Sequence, residues 1–206
     1  MSIIYVDRYG VVNDIKQHIY DNRKKYVFAV VVLCVAFGLG MSTATRINNP
    51  YNGLYQYNQA YFNMMTIVGK NSYLMSQILL NLMSLVVIYI ACLHYYSSSL
   101  CSVVLMYRAY NMGLTIVLLF RLQNAGAILV VFLGLIPSFV VLYGFMASFC
   151  VLMYNTAHNA FRYGESTWTI YQTKNIWGKL ILYATLDIVL SSIGAWLTML
   201  LGNASL

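Results

Sequence analysis

Charge is what this chain has least of. Only 8% of its 206 residues are Asp, Glu, Lys or Arg, against about 25% in an ordinary soluble domain. Acids are scarcer still: after Asp21 the only two are Glu165 and Asp187, which leaves no carboxylate pair for acid–base hydrolysis. His18, His94 and His158 lie far apart and form no H-x-x-x-H or H-E-x-x-H pattern. The four cysteines, Cys34, Cys92, Cys101 and Cys150, show no C-x-x-C and no regular spacing, so they read as buried free thiols used as small apolar residues. "WGKL" at Trp177–Leu180 lacks the upstream glycine of a phosphate-binding loop, and no G-x-S-x-G turn occurs. The expectation is a protein that is not an enzyme and takes no cofactor or metal. Any ATP-driven process would need a separate ATPase chain.

Oil is what is there instead. Hydrophobic residues make up 61% of the chain and mean hydropathy is +0.69. Apolar runs of 18 residues or more recur, long enough to cross a bilayer as helix. The reading is an all-α, polytopic transmembrane bundle of about five spans, at 27–45, 73–96, 98–120, 125–153 and 180–201. Residues 1–26 form a cytoplasmic amphipathic segment, and 27–206 form one bundle. The fourth span carries Pro137 near its middle and is expected to kink there. Short, polar "LHYYSSSL" joins spans two and three as a tight hairpin.

The net charge of +7 sits beside the apolar runs, without a basic and aromatic stripe for nucleic acid. It reads as an orientation signal and as contact with anionic headgroups. With the N-terminus inside, eight basic residues (Arg8, Lys16, Arg23, Lys24, Lys25, Arg162, Lys174 and Lys179) face in, and three (Arg46, Lys70 and Arg121) face out. That count favours an inside N-terminus and an outside C-terminus. In "VVNDIKQHIYDNRKKY", Val11, Val12, Ile15 and Ile19 fall on one helical face, followed by Arg23, Lys24 and Lys25; an interfacial helix is expected. The loop before span two offers Tyr51, Tyr55, Tyr57 and Tyr61 as interfacial anchors or as a surface for partners. The loop from Tyr154 to Lys179 reads as a polar connection on the inner side.

Small residues four apart recur: Ala36 with Gly40, Ala109 with Gly113, Gly144 with Ser148, and Ser191 with Ala195. Such pairs let helices approach closely in lipid, and they favour a compact bundle or a helix-mediated homo-oligomer. One residue breaks the pattern. In "VLMYRAYNMGLTIVLLF" (104–120), Arg108 lies about 15 Å along its helix, where a cation is costly. Asp187 is the one acid within any expected span, so an Arg108–Asp187 pair is expected. Structural use of the charge and use on a transport path stand side by side.

"LMYRAYNMGLTIVLLF", followed by "GAILVVFLGLIPSFVVL", resembles the stage II sporulation protein M (SpoIIM) family. Arg108 matches its basic position, Gly113 the later glycine, Gly126 the helix-opening glycine and Pro137 its proline. "DIKQHIYDNRKKYVFAVVVLCVAFGLG" is similar to the family's entry segment, and "IWGKLILYA" to the lead into its final span. Ala109 stands where the family usually has glycine. The resemblance implies a non-enzymatic, five-span protein of the bacterial cytoplasmic membrane, a scaffold for SpoIID- and SpoIIP-like cell-wall hydrolases during engulfment. As the alternative, it allows a permease subunit working with an ABC ATPase in peptide export or bacteriocin self-immunity.

Overall fold

The computed structural model describes residues 17, 19–47, 53, 56, 70–122, 130–164 and 176–204. Among them there is helix and turn and no strand. The helices are α1 (Arg23–Arg46), α2 (Lys70–Ala91), α3 (Leu100–Leu122), a π-helical segment (Val130–Leu135) that leads into α4 (Ile136–Tyr163), and α5 (Ile176–Ala204). Among the described residues, three stretches are long and apolar enough to cross a membrane: Arg23–Arg46, Leu100–Arg121 and Val131–Tyr163. The apolar stretches within α2 and α5 are shorter, Met75–Ala91 and Leu180–Gly194. The all-α class holds, and the chain is built for insertion into a membrane.

α1 packs most extensively on α3, through the small residues that the sequence offers for that purpose. The buried face of α1 is Ala29, Leu33, Ala36, Gly40 and Ala44. Opposite it, Ala109, Gly113, Leu114 and Leu118 of α3 are buried. A Cβ at Gly40 would collide with the Tyr110 carbonyl, and one at Gly113 with the Phe37 carbonyl. Backbone therefore meets backbone at this crossing. Helices in lipid gain little from excluding water, so dispersion at close range is what holds them.

The two helices run parallel. Lys25 and Ala29 lie level with Ser98 and Cys101 around one cavity; at the far ends, Arg121 donates from Nη1 to Ile47 O (2.7 Å) and from Nη2 to Thr45 O (2.9 Å). That fork caps carbonyls which a helix C-terminus leaves unsatisfied, and places a cation at its negative end. α2 runs back alongside α3, with Asn81 level with Arg108 and Cys92 level with Cys101. The turn 92–99 is the tight hairpin expected, closed by Ser97 Oγ to Ala91 O (2.6 Å) and Ser98 Oγ to Tyr95 O (2.5 Å).

α4 touches each of the other four helices and buries the most side chains, Met146, Phe149, Met153 and Ala157 among them. Expected to stop near Met153, it continues to Tyr163. Buried Thr156, Ala157 and Ala160 carry the core face through the polar letters, and Tyr95 of the hairpin stacks on Phe161 at 4.4 Å. The 154–163 portion of the expected inner loop is therefore helix. Gly164, left-handed at φ 66°, ends it by donating its N–H to Ala160 O and Phe161 O.

Pro137 lies in the first turn of α4, directly after the π-helical segment. Its missing donor costs little there, because first-turn N–H groups have no partner within an α-helix. Ser138 Oγ donates to Gly134 O (2.7 Å) across the junction. Gly144 departs from expectation. It is exposed, and a Cβ there would meet nothing within 4 Å, so it is no packing notch within this chain. Its intended partner Ser148 works by hydrogen bonding to the Tyr183 hydroxyl of α5 (2.9 Å). Gly126 lies outside the described residues.

Two consequences can be measured by unfolding in detergent. Leu at Gly40 or Gly113 forces the crossing apart and is expected to destabilise by about 1–3 kcal/mol or more, whereas Gly144→Ala stays within about 1 kcal/mol of the parent. Arg121→Ala frees the end of α1 and is expected to speed amide hydrogen exchange at Ile47, leaving the middle of α1 unchanged.

Candidate functional site

Arg108 is half-buried on α3, where four helices converge. Nη2 of its guanidinium donates to Asn81 Oδ1 of α2. The other end of that amide, Nδ2, donates to Ser191 Oγ of α5 at 2.7 Å. From α4, the Tyr143 ring lies 5.8 Å from the guanidinium carbon, and its hydroxyl donates to the Arg108 carbonyl at 3.3 Å. Phe139 packs tilted against Tyr143 at 4.4 Å and meets Phe37 of α1 at 5.4 Å. One cation thus ties α2, α3 and α4 directly, α5 through an amide, and α1 through aromatic rings.

Asp187 belongs to the same neighbourhood, one helical turn before Ser191. It is 0% exposed, yet neither carboxylate oxygen has a hydrogen-bond partner among the described residues, and Arg108 Nε has none either. The expected pair is corrected accordingly. Arg108 acts on Asp187 through its field, but the hydrogen bond goes to Asn81. An amide can accept from the guanidinium and donate to a hydroxyl at once, whereas a carboxylate only accepts. Asn81 and Ser191 are therefore the members of the site that charge-based reasoning misses. Their signal in the sequence is an amide and a hydroxyl inside apolar helices, both almost fully buried.

The other sequence candidates fall apart from this node. Gly40, Ala109 and Gly113 form the α1–α3 crossing. Arg23, Lys24 and Lys25 are the first turn of α1 itself and do not precede it as a separate interfacial segment. Ile19 is helical and exposed. Val11, Val12 and Ile15 of that segment, and Tyr51, Tyr55, Tyr57 and Tyr61 of the loop, lie outside the described residues.

Two further clusters emerge only in three dimensions. Cys34, expected to be buried, is exposed, but the other three cysteines, irregular in sequence, gather at the hairpin: Cys92 Sγ lies 2.9 Å from Cys101 Sγ, and Cys150 Sγ is 3.8 Å from Cys101 O. All three are free thiols, and no group of three or more metal-binding side chains forms among the described residues. At the start of α1, Lys25 Nζ donates to Asn155 Oδ1 of α4. Asn155 Nδ2 in turn donates to Asn22 Oδ1 (2.8 Å), which pins this end of α1 to α4.

Substitution separates the two partners of Arg108. Asn81→Leu strands the guanidinium and Ser191 together, with an expected cost of about 1–3 kcal/mol in detergent unfolding. Asp187→Asn removes no hydrogen bond of the carboxylate and is expected to cost less than Asn81→Leu; the reverse order would make Asp187 the true partner. No family model matches this chain, and neither does any curated protein or solved structure.

Proposed function

We propose that the chain is a SpoIIM-like membrane scaffold: a bundle of five crossings with an inside N-terminus in the bacterial cytoplasmic membrane. It holds peptidoglycan-degrading partners of the SpoIID and SpoIIP kind in place and performs no chemistry itself. The observation that carries this reading is how Arg108 is used. Its guanidinium engages Asn81 and the Tyr143 ring, and Asn81 passes the connection to Ser191. A cation spent on joining helices suits a body that must keep one shape while presenting surfaces to partners. The Gly40–Gly113 crossing supports the same reading, since backbones in contact leave no slack for helices to slide.

One observation favours the second reading, a permease subunit working with an ABC ATPase. Both oxygens of Asp187 and Nε of Arg108 are left over at the node, as groups beside a water-filled path would be.

Affinity purification from native membranes in mild detergent, with mass spectrometry of the co-purifying chains, separates the two. Recovery of a cell-wall amidase or lytic transglycosylase is expected. Recovery of a cytoplasmic ATPase in its place would overturn the scaffold. Arg108→Gln is expected to lower recovery of the hydrolase together with thermal stability, because the bundle presents the surface as a unit.

A further inference from the structure

The end of the bundle opposite the Arg121 cap holds a cavity of about 430 Å³ between α1, α3 and α4. That volume lies within the range of about 300–1,000 Å³ usual for ligand sites. Its inner walls are apolar, with Phe28, Ala29 and Val32 from α1 facing Leu105 and Val151. Lys24 and Lys25 line it too, together with Ser98 and Ser99 of the hairpin turn and Ser102 in the first turn of α3. Among the described residues, no acid lines it. Apolar wall on one side and two cations with hydroxyls on the other describe an amphiphile with a negative head.

Charge at the helix end argues the same way. α1 opens with Arg23, Lys24 and Lys25 and has no acid in its first turn. Three cations, against the single exposed carboxylate of Asp21 ahead of the N-cap, therefore crowd the positive end of a helix, where an anion is favoured. The neutral groups nearby relieve little of this. Asn155 bonds Lys25, and the Asn22 side chain turns to Asn155 and makes no cap hydrogen bond. At the start of α3, the N–H groups of Leu100, Cys101 and Ser102 are already bonded to the carbonyls of Ser97, Ser98 and Ser99. Lys25 is thus shared with Asn155 and the Tyr154 ring, and Lys24, exposed on the same turn, is the cation most open to a head group.

The geometry points to a built site for one anionic phospholipid of the surrounding bilayer, its phosphate between Lys24 and Lys25 and an acyl chain against Phe28, Val32 and Val151. Basic pockets between membrane helices take such head groups. The charge of the head offsets the cations, and the chain fills space that no side chain occupies. This site is independent of the Arg108 node and of the scaffold reading.

The test is native mass spectrometry of the full chain, extracted from vesicles of equal phosphatidylglycerol and phosphatidylcholine, with thermal unfolding run on every variant. The wild type is expected to retain phosphatidylglycerol over phosphatidylcholine by about tenfold or more. Lys24→Glu combined with Lys25→Glu is expected to abolish that preference, and Lys24→Arg with Lys25→Arg to keep it. Val32→Trp fills the apolar part without touching the cations and is expected to lose the retained lipid. Arg46→Glu, at the other end of α1, is the control and is expected to change nothing. Equal retention of the two lipids by the wild type would overturn the site. So would an equal loss in Arg46→Glu, which means surface attraction only, or full retention in both the double-Glu variant and Val32→Trp. Retention of a free fatty acid or inorganic phosphate, with no phospholipid, would also overturn it.

Discussion

The close approach of α1 and α3 at Gly40 and Gly113 sets the terms for everything else. Each glycine faces a carbonyl of the other helix where any side chain would collide. In a bilayer the lipid tails are as apolar as the side chains, so helices associate through the quality of their contacts. Once these two lie parallel with backbones touching, their ends are level. Arg121 can then reach the last carbonyls of α1, and α2 has one place in which to return. The long central α4 closes the remaining side, and the hairpin aromatics dock on its last turns.

Arg108 is the price of a single arrangement around that pair. A cation among apolar helices must find partners, and here they come from separate elements: Asn81 on α2 and Tyr143 on α4, with Ser191 on α5 behind the amide. A misplaced helix would break the chain of hydrogen bonds and leave charge uncompensated in lipid, which disfavours alternatives more than packing alone can. Asp187 adds to the field at the node without joining the network.

The two ends of the α1–α3 pair are finished differently. One is closed by the Arg121 fork over the carbonyls of α1. The other gathers three basic residues at a helix N-terminus beside an apolar cavity. The same macrodipole makes the first arrangement favourable within the chain and the second favourable once an anion joins it.

Local pattern made much of this legible in the amino-acid letters. Apolar runs marked the helices, small residues four apart marked candidate positions for close packing, "LHYYSSSL" marked the hairpin, and a lone cation marked the node. Each of these depends on residues within a few turns of one another. The sequence by itself determined that the chain is helical and apolar and that small residues such as Gly40 and Gly113 offer close-packing positions, because period and residue size act locally; which helices meet there is a tertiary outcome. The tertiary structure alone decided that Arg108 binds Asn81 ahead of Asp187, that α4 runs on to Tyr163, that Gly144 is left outside the packing, and that irregularly spaced Cys92, Cys101 and Cys150 meet. Those outcomes depend on the levels and rotations at which separate helices pack, and opposite charge or spacing along the chain does not encode them.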